Sequence, residues 1–196
     1  MILPIVAYGD PVLRKVGAEV TSEYPKLKDL IANMWETMYN AKGVGLAAPQ
    51  IGQAIRLFLV DTAPFADDEV LSEKEQKTLK GFKKVFLNAN IEEETGEEWV
   101  FNEGCLSIPD IREDVKRKPR IQITFMDENF KSQTETYDGI LARVIQHEYD
   151  HIEGILFTDK LSPLKKRLLK GRLTTISKGK INAEYRMRFP SIKKGR

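Results

Sequence analysis

Residues 139–154 read GILARVIQHEYDHIEG, and the interpretation of this stretch decides the fold. Ile140, Leu141, Val144, Ile145 and Ile152 recur at helical spacing on one face, and Gly154 supplies a stop. The segments on its N-terminal side carry a different period. Val85–Glu94 and Glu97–Phe101 flank Thr95-Gly96 and predict a hairpin with a short turn. Ile121–Met126 and Gln133–Tyr137 flank Asp127-Glu128-Asn129 and predict another. Ile55–Val60 is strand-like, and Ile181–Phe189 alternates with period two, which predicts a last strand. Between Glu23 and Ala41 the positions Leu27, Leu30, Ile31, Met34, Trp35 and Met38 predict an amphipathic helix halted by Gly43. A further helix is expected from Ser162-Pro163, with serine as cap and proline in the first turn. Residues 62–82 are polar, weakly helical in SEKEQKTLK, and predict a surface excursion. The class is α+β: mostly antiparallel strands packed around a central HEYDH helix, with an N-terminal helix and a C-terminal helix followed by a strand.

The chain has 196 residues, 41% hydrophobic and 31% charged, with a formal net charge of +2. That length suits one domain over residues 1–196. The near-neutral total conceals an asymmetry. Residues 160–196 carry 13 of the 31 basic side chains and 1 of the 29 acidic ones, a charge of +12 that leaves −10 on residues 1–159. A polyanionic partner for the basic segment is therefore expected. The single cysteine excludes an internal disulfide. No run of about 18 apolar residues exists, which excludes a membrane-spanning helix. The opening MILPIVAYGD lacks the basic flank and cleavage signature of a secretory signal, and a soluble, cytoplasmic protein is expected.

The chemistry concentrates in His147-Glu148-Tyr149-Asp150-His151. Side chains at i and i+4 share a helix face, so both imidazoles can converge on one metal, with Glu148 placed to take a proton from an activated water. These are the only 2 histidines in the chain, so a three-imidazole site is excluded. A third ligand must come from Glu153, from Asp159, or from Cys105 in the turn Asn102-Glu103-Gly104-Cys105-Leu106-Ser107-Ile108-Pro109. A thiolate there would tolerate Fe(II), Zn, Ni or Co. In Gly43-Val44-Gly45-Leu46-Ala47-Ala48-Pro49-Gln50, the glycines and small residues admit close approach of a substrate backbone, and Gln50 offers an amide donor. That loop lacks the order of a phosphate-binding loop.

Taken together, GVGLAAPQ, EGCLSIP and QHEYDH, in that order, resemble the three signature motifs of the peptide deformylase family. The resemblance runs from Asp10-Pro11-Val12-Leu13-Arg14 to about Leu164. It implies a metal-dependent hydrolase that removes the formyl group from the N-terminal formylmethionine of new polypeptides, giving formate and a free amine. By the same resemblance Cys105, His147 and His151 bind the metal, natively Fe(II), and Glu148 is general base and acid. Gln50 and the backbone N–H of Leu106 hold the developing oxyanion. The backbone of Gly45, with Val44, pairs with the substrate, whose methionine slot is expected to be lined by Val44, Phe101, Ile140 and Val144. Arg143 is expected to lay its stem along that slot with its head in solvent, Arg112 to meet the peptide or stand as a solvated charge, and Asp150 to orient a ligand or face water. The partners implied are N-formylmethionyl peptides, with the ribosome and its RNA for the basic C-terminal segment. Residues 62–82 and the C-terminal strand depart from shorter family members, and neither is expected to touch the motifs. A zincin-type peptidase shares HExxH but needs a downstream ligand this chain lacks. A closed structural metal module that binds RNA needs a fourth cysteine or histidine, equally lacking.

Overall fold

The computed structural model describes residues 1–67 and 71–190. In chain order its elements are β1 (Ile5–Val6), α1 (Leu27–Asn40), β2 (Gly45–Ala47), β3 (Leu57–Asp61), α2 (Glu73–Lys80), β4 (Lys83–Thr95), β5 (Trp99–Cys105), β6 (Ile108–Arg117), β7 (Arg120–Met126), β8 (Ser132–Asp138), α3 (Gly139–Ile152), α4 (Pro163–Ser177) and β9 (Met187–Arg188). Short 3₁₀ turns, including Ala48–Ile51 and Ala63–Phe65, join some of them. The class is α+β. The main sheet has 5 antiparallel strands in the order β2-β3-β4-β7-β8, and β5 with β6 forms a separate antiparallel ribbon. Among the described residues no helix is long and apolar enough to cross a membrane.

Strand β3 shows why two helices can cover one sheet. Its residues alternate between two cores: Leu57 and Leu59 pack with Ile31, Met34 and Met38 of α1, while Phe58 and Val60 pack with Ala142, Val144 and Ile145 of α3. A strand covered on both faces loses the polar-out half of the usual alternation, and Leu57 through Val60 are all 0% exposed. Ile145 and Ile152 are also 0% exposed, and burying each contributes about 1.5–3 kcal/mol. The start of α3 is tied to the sheet by the Gly139 N–H, which donates to the Pro119 carbonyl at 2.8 Å. Helix α4 opens as its sequence requires: Ser162 accepts from the Lys165 N–H (3.3 Å) ahead of Pro163 in the first turn.

Several expectations are corrected. Strands β4 and β5 do not form a hairpin. Gly96, at φ +90°, turns the chain off the sheet, and an added Cβ there would meet Pro119 Cγ at 2.6 Å. The free edge of β4 is taken by β7, with Glu94 opposite Ile121 and Thr95 opposite Arg120. Strand β5 instead pairs with β6 across the tight Leu106-Ser107 turn. The β7–β8 hairpin is present, with Phe125 opposite Gln133. Helix α1 begins at Leu27 rather than Glu23, after Lys26 at φ +56°. The 181–189 strand shrinks to Met187–Arg188, paired in parallel with β1. Its alternation records separate packing events: Ile181, Met187 and Phe189 rest on one core and Tyr185 on another. The 62–82 segment contains α2, capped by a reciprocal Ser72–Glu75 pair; its residues 68–70 lie outside the described residues. So do residues 191–196 of the basic segment.

Candidate active site

Three pieces of chain meet at one cleft of about 740 Å³: the β5–β6 ribbon, helix α3, and β2 with the 3₁₀ turn that follows it. The ribbon delivers Cys105 from the end of β5, beside a bulge in the pairing between Gly104 and Cys105. Helix α3 delivers His147 and His151 one turn apart. Ligand atoms of Cys105, His147 and His151 lie within 4.8 Å of one another, with Cys105 Sγ 3.3 Å from His151 Nε2. Glu153 and Asp159 are engaged elsewhere, in ion pairs with Arg56 and Arg14.

His147 Nδ1 lies 2.9 Å from Glu103 Oε2. A carboxylate can only accept, so Nδ1 carries the proton and Nε2 is left free to bind an ion. Glu103 is itself buried, 4% exposed, and held by two guanidiniums. Arg117 donates to both of its oxygens at 2.7 and 2.9 Å, and Arg143 donates to Oε1 at 2.9 Å. Arg117 also donates to Asp150 Oδ2 at 2.6 Å, which Lys160 approaches at 3.3 Å. Asp150 is thus linked to the imidazole by a chain of hydrogen bonds through Arg117 and Glu103. Burial alone would raise the Glu103 carboxyl, but its bonds from Arg117 and His147 hold it well below the usual carboxylate range. It stays an anion at the back of the ligand.

Glu148 has the opposite environment. Its Oε2 is buried with no hydrogen-bond partner among the described residues. Burial pushes its carboxyl up to about 7, opposed by His147 and Arg117 and reinforced by Glu103. That places a proton acceptor near neutrality, the range that suits a group shuttling protons at pH 7. Burial, with the charges of His147 and Arg117, drives His151 well below its usual value, so it is held neutral. Gly45 makes room for the carboxylate: an added Cβ would lie 2.4 Å from Glu148 Oε1.

The Gln50 amide is oriented by its own loop. The Ala47 N–H donates to Oε1 at 2.8 Å, which turns Nε2 toward Ser107 Oγ (3.4 Å) and Cys105 Sγ (3.5 Å). Leu106 occupies the turn between β5 and β6, and the cleft is also lined by Val44, Gly45, Phe101, Arg112 and Val144. Arg112 is braced by Asn102, whose side-chain oxygen and carbonyl accept at 2.9 and 2.6 Å. Two expectations are corrected. Ile140 is not among the lining residues; it packs against the core shared by α3 and the sheet. The Arg143 head does not reach solvent: the residue is 1% exposed, donates also to the carbonyls of Trp99 and Val115 (2.8 and 3.2 Å) and lies 4.7 Å over the Trp99 ring.

Sequence reasoning missed five residues. Glu103 and Ser107 stood inside a quoted motif and carried a signal, an acid and a hydroxyl flanking the cysteine. Arg117, at the far end of β6, carried none. Phe65, from the supposed excursion, lines the cleft and meets Phe101 edge-on at 6.3 Å. Tyr185, from the supposed C-terminal strand, lines it too and donates to the Leu106 carbonyl at 2.8 Å.

One cysteine sulfur and two imidazoles, with one imidazole backed by a carboxylate, form a donor set that fits a divalent transition metal. The unpaired Glu148 oxygen beside them fits an acceptor awaiting a water. Comparisons with known proteins agree. A family model described as polypeptide deformylase matches residues 2–167. The chain is 67% identical to a peptide deformylase from Christiangramia forsetii and 66% identical to one from Flavobacterium johnsoniae, covering 100% of both chains in each case. Among solved structures it is similar to peptide deformylase from Thermus thermophilus, with a TM-score of 0.78 and 37% identity over 91% of this chain and 99% of that one.

Proposed function

The chain belongs to the polypeptide deformylase family, and from that premise we propose how its residues divide the work. The reaction is hydrolysis of the N-formyl group on the formylmethionine that begins new polypeptides, releasing formate. Cys105, His147 and His151 would hold the ion. A divalent cation held there supplies Lewis acidity and brings the pKa of a water toward neutrality. We infer Fe(II) as that cation from the family resemblance; the mixed sulfur and imidazole donors equally admit Zn, Ni or Co.

Strand β2 is the end strand of the main sheet, so its outer edge offers Gly45 to an added peptide strand, while the carbonyl of the preceding Val44 is held by the Asp61 N–H at 2.9 Å. The methionine side chain enters the slot between Val44, Phe101 and Val144, to which Phe65 is added, and Arg112 meets the following residues. Glu148 takes the proton of the attacking water and returns it to the leaving nitrogen. Negative charge then develops on the formyl oxygen, where the Gln50 amide and the Leu106 N–H donate; loss of one such donor typically costs about 2.7–4 kcal/mol. The observation that carries this reading is the convergence of the three ligand atoms within 4.8 Å, beside a buried carboxylate oxygen that has no partner among the described residues.

The decisive assay is formate release from formyl-Met-Ala-Ser by Fe(II)- or Ni(II)-loaded protein. The Glu148→Ala variant should retain the metal and lose about 10²–10⁴-fold in kcat. Unaltered turnover in that variant would remove Glu148 from the reaction. We also propose that residues 1–196 act as one domain in the cytoplasm and that the basic segment 160–196 meets ribosomal RNA. Exposed Lys166, Arg167 and Lys170 on α4 support that contact.

A further inference from the structure

The segment after α4 closes back on the cleft. Asn182 through Tyr185 line it, although they follow the last residue of the family-model match at 167. This wall is tied down along its length. Arg186 accepts from the Ile5 N–H at 2.9 Å, and Arg188 from the Ala7 N–H at 2.8 Å. The exposed Glu184 carboxylate pairs with Lys42 at 2.9 Å. Tyr185 therefore reaches its partner from an anchored backbone, with its ring packed against the α1 core.

We propose that Tyr185 is a positioning residue for deformylation, setting the Cys105-Leu106-Ser107 turn through the Leu106 carbonyl. Its hydroxyl donates to that carbonyl at 2.8 Å. The rest of the turn is gripped from other sides: the Ser107 carbonyl accepts from the Tyr8 N–H at 2.8 Å, and Gln50 Nε2 reaches Ser107 Oγ at 3.4 Å. The Leu106 side chain fills the space beside Gly43, where an added Cβ would lie 2.8 Å from Leu106 Cδ1. The Leu106 carbonyl and N–H lie in the two peptide planes that flank its Cα, so holding the carbonyl restrains the φ and ψ of Leu106 that aim its N–H, and freeing it loosens both. Without the hydroxyl the turn can relax by a few tenths of an ångström. An oxyanion donor suffers most from such a shift, because its contribution depends on alignment reached only in the transition state. The inference rests on the reading of Leu106 as an oxyanion donor.

The test is Tyr185→Phe in the full-length, metal-loaded protein, which keeps the packed ring and deletes only the hydroxyl. Formyl-Met-Ala-Ser turnover, metal content and thermal midpoint are measured together. We expect kcat to fall about 3- to 10-fold, the size of one hydrogen bond read through the rate. KM should stay within about two-fold, since only transition-state alignment is affected, with metal content and thermal midpoint unchanged. An unchanged kcat overturns the proposal. So does a fall in kcat that tracks lost metal or a lowered midpoint, which would make Tyr185 an anchor of the C-terminal segment. Wild-type protein releasing no formate would instead overturn the deformylase reading, so the two failures are told apart.

Discussion

Glu103 illustrates how much one side chain can organise. It accepts from Arg117, Arg143 and His147 while almost wholly buried. Burying an anion is tolerable only when it is paired and fully hydrogen-bonded, and here the pairing also fixes the tautomer of His147. Glu103→Gln keeps the shape and deletes the charge, leaving two buried guanidiniums undercompensated. Urea unfolding should show a loss of about 3–5 kcal/mol, as for other broken buried pairs. Competition against a chelator should show metal affinity weakened about 10–100-fold. Affinity equal to wild type would mean that the carboxylate does not tune His147.

At the scale of elements, the decisive fact is that β5 pairs with β6 rather than with β4. The ribbon so formed puts Glu103, Cys105 and Arg117 on one unit that faces α3. Had β5 stayed beside β4, Arg117 could not reach Glu103. The segment between β3 and β4 also has a role beyond the surface, since its 3₁₀ turn brings Phe65 against Phe101. Phe65→Ala should open the proposed methionine slot and raise KM by about 10-fold, in line with the loss of apolar contact in a specificity pocket. Steady-state kinetics on formyl-Met and formyl-Ala peptides check this: discrimination between the two should narrow, and unchanged discrimination would place Phe65 outside the slot.

For the whole molecule the asymmetry of charge matters most. Part of the basic segment is used internally: residues 182–185 line the cleft, and Arg188 lies 3.6 Å from Asp10. Removing the end of the chain would therefore disturb the site along with any surface contact. Charge reversal on α4 separates the two. Lys166→Glu, Arg167→Glu and Lys170→Glu together should leave formate release intact and weaken ribosome co-sedimentation. The difference should be largest at low salt, because phosphate contacts release counterions. Equal pelleting at low salt would remove α4 from the proposed contact.

The amino-acid order alone determined the local features. The spacing of His147 and His151, the apolar face of α3, the Ser162-Pro163 start of α4 and the β7–β8 hairpin each depend on residues a few positions apart, whose geometry is set by the helix or turn that contains them. The three motifs likewise announced the family, and with it the expected ligand set. The tertiary structure alone decided what crosses long stretches of chain. Tyr185 meets Leu106 over 79 residues, and Arg143 meets Glu103 over 40. Phe65 is likewise remote from Phe101. No local period encodes such meetings; they follow from which strand edges remain free and from where a closed core directs the remaining chain. The same reason explains the absent β4–β5 hairpin and the shortened 181–189 strand: alternation reports that a segment is half-buried, and only the packed molecule settles which neighbour buries it.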